Sequence, residues 1–108
     1  MAVNANPAWS ELWIVEAGRS RRPGLVLTRP EAVERIDRIL VALATTTVRG
    51  LPSEVLVGPD EGLQLRCVLN LDTPELLLRS KFIEFIGAFP VDRWNEVCDA
   101  MKAAINCR

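Results

Sequence analysis

The sequence contains no histidine, so it lacks both the commonest general acid-base residue and the commonest transition-metal ligand. Any catalysis must therefore depend on arginine, lysine, threonine, serine or carboxylate side chains. The three cysteines, Cys67, Cys98 and Cys107, are odd in number and show no C-x-x-C spacing, which argues against a disulfide framework and a zinc site. We therefore expect no metal, no cofactor and a reducing, cytoplasmic environment.

Long apolar runs and an excess of one charge are also absent. No segment approaches the length of a membrane span, and the start MAVNANPAWSELW lacks the basic-then-apolar order of a signal peptide, so no membrane partner is expected. The 13 basic and 14 acidic residues give a net charge of -1, which provides no global field to attract nucleic acid. At 108 residues the chain is predicted to form a single domain, with residues 1–9 as a flexible leader.

One local cluster of positive charge stands out. Arg19, Arg21 and Arg22 occur within the stretch GRSRR, residues 18–22, with no acid among them. We interpret this stretch as a turn that joins the strand ELWIVEA to a second strand starting at Pro23. A guanidinium group presents a rigid fork of donors that matches phosphate or carboxylate. The turn therefore predicts a local anion site.

Short strands separated by turn signals dominate the middle of the chain. The segments ILVALATTTV (39–48), SEVLV and RCVLNL are predicted strands, and PEAVERIDRI predicts one to two turns of helix. Residues 39–48 are apolar on both alternating faces, so both faces must be covered, one by a barrel interior and the other by a helix or a second subunit. This pattern predicts a small antiparallel barrel closed on itself.

The last third of the chain contains one ambiguous and one clear segment. Residues 74–89 suit both a helix and a strand, and local propensity favours the helix. The terminal segment predicts an amphipathic helix that covers the barrel or a dimer partner. Its apolar residues recur at steps of three and four: Val91, Trp94, Val97, Cys98, Met101 and Ile105.

Five stretches, taken in this order and spacing, resemble the MazF/PemK family of toxin endoribonucleases from Glu11 to Ile105. They are ELWIVE, RRPGLVLTR, TTTVRGLPSEVLVGPDEGL, CVLNLDT and DRWNEVCDAMKAAI. The resemblance implies a mainly β (α+β) fold, a small SH3-like antiparallel β-barrel with short helices and a C-terminal amphipathic helix, usually a homodimer. It also implies that residues 83–88 form a strand preceded by a short helical turn.

The resemblance implies metal-independent cleavage of single-stranded RNA, in which a ribose 2′-hydroxyl attacks the adjacent phosphorus. The family's catalytic arginine precedes the proline of the second strand, here Arg22, and would stabilise the charge on the phosphorane. Its partner is a threonine at the end of the third strand, here Thr45, which would hold a phosphate oxygen or the attacking hydroxyl. Without the resemblance, Arg22 would be interpreted as the partner of a carboxylate and Thr45 as an ordinary strand residue.

Seven further residues are candidates for substrate binding. The arginines would contact backbone phosphates, and the threonines would contact the substrate. Asn70 and Asp72 could read base edges or cap a turn, and both alternatives stay open. The tryptophans are expected in the core or an interface, although Trp9 and Trp13 could stack a base. The seven candidates are Arg19, Arg21, Thr46, Thr47, Arg49, Asn70 and Asp72.

The first loop departs from the family pattern. The stretch EAGRSRRP lacks the family's Gly-Ser-Glu, whose acid takes part in proton transfer. Glu16 is the nearest carboxylate, and the general base stays unassigned.

The expected function is that of a toxin of a type II toxin-antitoxin system that cleaves RNA at selected sequences. Its expected partners are single-stranded RNA and a cognate MazE-like antitoxin, whose acidic extended segment would occupy the same basic groove. The alternative is a catalytically weak or inactive relative that acts by binding a protein, as CcdB-type gyrase poisons do. A purely structural RNA-binding barrel is disfavoured by the near-zero net charge.

Overall fold

The computed structural model describes residues 6–107. The described chain contains seven strands, two α-helices and three single turns of 3-10 helix. The strands are β1 (Glu11–Ala17), β2 (Ser20–Val26), β3 (Arg38–Thr45), β4 (Glu54–Val57), β5 (Cys67–Asn70), β6 (Glu75–Leu78) and β7 (Phe82–Ala88). The helices are α1 (Pro30–Val33) and α2 (Trp94–Ala104), and the 3-10 turns span Pro59–Glu61, Arg79–Lys81 and Val91–Arg93.

All strand pairs are antiparallel, in the order β4-β5-β3-β2-β1-β7, with β6 added to β3 beside β5. The mainly β class with short helices and a C-terminal helix is therefore confirmed. The predicted closure of the barrel is wrong, because no ladder joins β4 to β7 within residues 6–107. The loop between β4 and β5 instead packs closely against β7, because a Cβ placed on Gly62 would lie 3.1 Å from Ile86 Cγ2.

The β1–β2 hairpin corrects the predicted basic turn. Ala17 pairs with Ser20, so the turn comprises only Gly18 and Arg19, and Gly18 has a φ of 61°. A glycine with positive φ suits a two-residue hairpin loop, and the ladder therefore resumes immediately. Consequently Arg21 and Arg22 lie within β2 and not in the turn, on opposite faces of the strand.

Pro23 lies inside β2 and not at its start, as the sequence had suggested. It is opposite Ile14 of β1, whereas β3 pairs with β2 only at residues 24–26. Proline has no backbone N–H to donate to a ladder, so it is tolerated where the neighbouring strand on one side has not yet begun to pair. The same arrangement leaves the first half of β2 free to border a groove.

The two apolar faces of β3 are both covered, as predicted. Ile39, Val41 and Leu43 belong to one buried cluster, which also contains Val33 of α1 and Phe82 of β7. The smaller residues of the other face, Ala42 and Ala44, pack in a second cluster with Val97 and Ala100 of α2. The strand ends at Thr45, three residues earlier than predicted, where its last two residues pair with β5.

Residues 74–89 form two strands joined by one 3-10 turn, and the local preference for a helix is wrong. Strand β7 preceded by a short helical turn confirms the expectation from the family resemblance. The backbone groups of these residues are satisfied by tertiary partners, since β6 pairs with β3 and β7 pairs with β1. Tertiary pairing therefore overrides local propensity here.

Helix α2 confirms the predicted amphipathic helix in its central part. Val97 and Ala100 are buried, and Trp94 packs at 4.6 Å, centroid to centroid, against Trp9. The apolar stripe of α2 is shorter than predicted, because Val91, Cys98 and Ile105 are exposed.

Of the predicted leader, residues 1–5 lie outside the described residues, and Pro7 is buried. No helix within residues 6–107 has the length and apolar character needed to span a membrane.

Candidate functional site

Arg22 is half-buried and is anchored at the end of β3. Its Nε and Nη2 donate hydrogen bonds to the carbonyl oxygen of Ala44 at 3.1 and 2.8 Å. The β2–β3 register explains the contact, because Gly24 lies opposite Leu43 and Arg22 therefore falls beside the last residues of β3. No other side-chain hydrogen bond or ion pair of Arg22 occurs within the described chain, so its remaining N–H groups are available to an anion.

Thr45 follows the residue that holds Arg22. It is half-buried at the last position of β3, and its Oγ accepts a hydrogen bond from the backbone N–H of Thr47 at 3.2 Å. Thr46 and Thr47 are exposed in the loop that begins there. The structure thus brings together the two residues proposed for catalysis, 23 positions apart in the sequence, at one corner of the sheet.

A groove of about 490 Å³ opens beside this corner. Its lining includes Pro23 of β2, Ala44 and Thr45 of β3, and Thr46 of the loop that follows. It also includes residues 62–65 of the loop that precedes β5, and Ile14 of β1. The volume lies within the range of about 300–1,000 Å³ that is usual for small-ligand sites. The sequence had no feature that predicted this cavity, because its lining comes from five separate segments of the chain.

The other candidate arginines are exposed. Arg19 lies in the hairpin turn, and Arg21 on β2 is opposite Glu16 of β1. Arg49 lies in the loop between β3 and β4, where its backbone N–H, together with that of Gly50, donates to the Glu54 carboxylate. None of the three arginines lines the groove, so they can contact only parts of a substrate that extend beyond it.

Asn70 and Asp72 shape the turn after β5. Asn70 Oδ1 accepts the backbone N–H of Asp72 at 2.8 Å, and Asp72 Oδ2 accepts the hydroxyl of Ser53 at 2.5 Å. An asparagine bonded to the backbone two residues on is the usual side-chain-supported turn. Neither residue lines the groove, and the structure does not bring them to Arg22.

The carboxylate that does line the groove is Glu84 of β7, which sequence reasoning missed. Glu84 lies opposite Ile14, which in turn lies opposite Pro23, so the three residues form one row across β7, β1 and β2. The available signal was an acid in the middle of the apolar run FIEFIGAF. Glu16, the carboxylate nearest in the sequence, does not line the groove.

Two tryptophans considered for base stacking have partners inside the protein. Trp9 packs against Trp94, and Trp13 packs edge-to-face against Phe82 and Phe85 at centroid distances of 6.0 and 5.8 Å. The indole N–H of Trp13 donates to Glu11 at 2.9 Å. These contacts hold both rings in place as structural elements.

Three ionisable groups near the β4–β5 loop have shifted pKa values. Burial, and to a smaller extent the Glu61 carboxylate, raise the pKa of the Cys67 thiol, which lines the groove. The hydrogen bond from Arg93 lowers the pKa of Glu96, and the same bond raises the pKa of Arg93. Arg93 also forms an ion pair with Glu61 at 3.1 Å, which connects the start of α2 to the loop between β4 and β5.

Within residues 6–107, no three acidic or cysteine side chains gather as a metal-binding group.

Comparisons with known proteins agree on one family. No family model matches the sequence. The chain is 36% identical over 107 residues to the probable endoribonuclease MazF5 of Mycobacterium tuberculosis, covering 97% of this chain and 98% of that protein.

Solved structures share the fold. The Mycobacterium tuberculosis toxin MazF-mt6 superposes with a TM-score of 0.86 at 28% identity, covering 91% of this chain and 98% of the toxin. An endoribonuclease from mycobacterial species, solved in complex with its cognate antitoxin, has a TM-score of 0.83 at 20% identity, with 94% of this chain and 97% of that chain covered.

Proposed function

The chain belongs to the MazF family of endoribonucleases, and we propose that it cleaves single-stranded RNA without a metal ion. The observation that carries this proposal is the Arg22 guanidinium, which donates two hydrogen bonds to the carbonyl oxygen of Ala44. Ala44 and the next residue, Thr45, both line the groove. A guanidinium fixed in this way is preorganised for a phosphate, because its orientation needs no adjustment when charge develops.

In the proposed reaction, the 2′-oxygen of a ribose forms a bond to the adjacent phosphorus while the bond from phosphorus to the 5′-oxygen breaks. The 2′-hydroxyl loses its proton and the leaving 5′-oxygen gains one, so the products are a 2′,3′-cyclic phosphate and a 5′-hydroxyl. Arg22 stabilises the additional negative charge on the phosphorane. The Thr45 hydroxyl holds a phosphate oxygen or the attacking group. Such a preorganised donor typically contributes on the order of a hundredfold or more in rate.

The exposed arginines extend the anion-binding surface beyond the groove. Arg19, Arg21 and Arg49 are exposed and would contact backbone phosphates of the flanking nucleotides, which would supply affinity without sequence choice. Thr46 lines the groove and is a candidate for direct substrate contact, with Thr47 next to it. Asn70 and Asp72 remain candidates only for a substrate long enough to reach the turn after β5.

We further propose that the protein acts in the cytoplasm as the toxin of a type II toxin-antitoxin pair. The support is the similarity to the toxin MazF-mt6 and to an endoribonuclease solved with its cognate antitoxin. An acidic extended segment of a MazE-like antitoxin would compete with RNA for the arginines. We also propose that the protein is a homodimer, as the resemblance to the MazF/PemK family implies.

The test is incubation of purified protein with a long single-stranded RNA in the presence of EDTA. The wild type is compared with Arg22→Ala and with Arg38→Ala, a matched control that removes an exposed arginine at the opposite end of β3. Specific cuts that leave a 2′,3′-cyclic phosphate, lost in Arg22→Ala and kept in Arg38→Ala, are the expected result. Intact RNA with folded wild-type protein would instead favour a protein-binding relative of the CcdB type.

A further inference from the structure

Thr45 and the Glu84 carboxylate of β7 both line the groove. Thr45 directly follows Ala44, whose carbonyl oxygen accepts the hydrogen bonds of the Arg22 guanidinium, so a phosphate bound by Arg22 would lie beside the groove. Two strand spacings separate Pro23 from Glu84 along their row, which is about 10 Å. A single nucleotide can span such a distance.

Glu84 makes no ion pair or side-chain hydrogen bond within residues 6–107, and it is exposed. An ionised carboxylate only accepts hydrogen bonds. It repels the phosphates of RNA, so it disfavours a backbone path along β7 and is suited to a partner that offers N–H donors. In RNA, the groups that offer N–H donors are the bases.

Most of the remaining lining is apolar. Ile14, Leu63, Leu65 and Ile86 line the groove, and Leu65 is 65% exposed although it is a large aliphatic residue. Unstacked bases of single-stranded RNA bind with their faces against apolar side chains and their edges against polar groups. The groove offers both kinds of surface, and its volume of about 490 Å³ accommodates one nucleotide.

We propose that this groove binds the base next to the cleaved phosphate and that Glu84 selects guanine there. This inference rests on the proposed RNA cleavage. Guanine presents two parallel donors on its Watson–Crick edge, N1–H and the N2 amino group, which match the two oxygens of a carboxylate. Adenine and cytosine offer an amino group beside a ring acceptor that faces the carboxylate unfavourably, and uracil offers one N–H between two carbonyl groups.

The first experiment is cleavage of a random single-stranded RNA pool, followed by sequencing of the cut sites. Wild-type protein is compared with Glu84→Gln and with Glu75→Gln, a control that removes an exposed carboxylate from β6, outside the groove. We expect guanine at one position beside the cut, with a preference of about tenfold or more over other bases. Glu84→Gln should lose this preference and Glu75→Gln should keep it.

The second experiment tests the contact itself. Replacing that guanosine by inosine removes the N2 amino group and leaves N1–H in place. For wild-type protein the value of kcat/KM should fall by about tenfold, and for Glu84→Gln the difference between guanosine and inosine should shrink to about threefold or less. A substrate with 7-deazaguanosine, which keeps both donors, should be cleaved like the guanosine substrate.

Three results would overturn the inference: cut sites without a guanine preference, an inosine effect that is the same in Glu84→Gln, or a uniform loss of activity on all sequences with an altered pH profile. The last result would assign Glu84 to proton transfer. In each case the proposed endoribonuclease function would still be supported if the wild-type protein cleaves RNA and Arg22→Ala does not. Absence of any wild-type cleavage would instead refute the proposed function itself.

Discussion

The Arg22 side chain is hydrogen bonded to the main chain of Ala44, 22 residues further along the sequence, through both Nε and Nη2. This contact joins the middle of β2 to the end of β3 and fixes the guanidinium on Ala44, which lines the groove. Because both hydrogen bonds come from one planar group, the orientation is specified as well as the position.

The Arg22→Lys substitution separates charge from geometry. A lysine keeps the positive charge but cannot donate two bonds to Ala44 while presenting further donors to a phosphate. We expect a loss in kcat/KM on the order of a hundredfold, while the free energy of unfolding falls by only about 1–2 kcal/mol. Single-turnover cleavage and urea unfolding measure the two quantities. Near-wild-type activity of the lysine variant would contradict the role given to the fork geometry.

Replacing Thr45 by valine removes a hydroxyl with almost no change in shape. The variant loses the acceptor for the Thr47 N–H, which is exposed and can bond to water, so stability should fall by less than about 1 kcal/mol. Cleavage should fall by at least about tenfold if the hydroxyl holds the reacting groups. Thr28→Val is the matched control, because its hydroxyl accepts the Leu40 N–H far from the groove. That variant should lose stability and keep its activity.

The pair formed by Arg93 and Glu96 predicts a pH-dependent contribution to stability. Arg93 lowers the pKa of Glu96 below its ordinary value of 4.5, so the folded pKa lies below the unfolded one. The contribution is therefore complete above about pH 4.5 and disappears as the pH falls through the folded pKa.

The Glu96→Gln substitution tests the direction of this pH dependence of stability. Because the Glu96 side chain is 45% exposed, solvent screening limits the expected loss to about 0.5–1 kcal/mol near neutral pH. The difference from wild type, measured by urea unfolding, should shrink as the pH is lowered below about 4.5. Asp99→Asn, an acid of the same helix with no ion pair within the described residues, should show no such difference. If the stability lost in Glu96→Gln grew as the pH fell, the predicted direction of the pH dependence would be wrong.

Two glycines with positive φ should respond differently to alanine. Gly18 has a φ of 61° and open space around it, whereas Gly62 has a φ of 95° and a Cβ there would lie 3.1 Å from Ile86. Gly18→Ala should cost about 1–2 kcal/mol from backbone strain alone. Gly62→Ala should cost more, and it should also change cleavage, because both Gly62 and Ile86 line the groove. Equal losses in urea unfolding, with unchanged activity, would contradict this explanation.

Most strands and the terminal helix could be predicted locally, because their signals lie within a few neighbouring residues. The alternating apolar faces of β3 and the three-and-four spacing around Val97 are examples. The prediction failed where pairing partners decide the structure. The start of β2 at Ser20 depends on the positive φ of Gly18, and the strand at residues 75–78 exists because β3 is there to accept it.

Local sequence patterns were sufficient to predict the mainly β class and the C-terminal helix, and the ordered motifs gave the resemblance that singled out Arg22 and Thr45. The open sheet, the hydrogen bonds of Arg22 to Ala44, and the groove that Glu84 shares with Thr45 depend on the three-dimensional arrangement of the strands. Periodicity and propensity act over only a few residues. A site built from β1, β2, β3, β7 and a loop depends on register between strands that are distant in the chain.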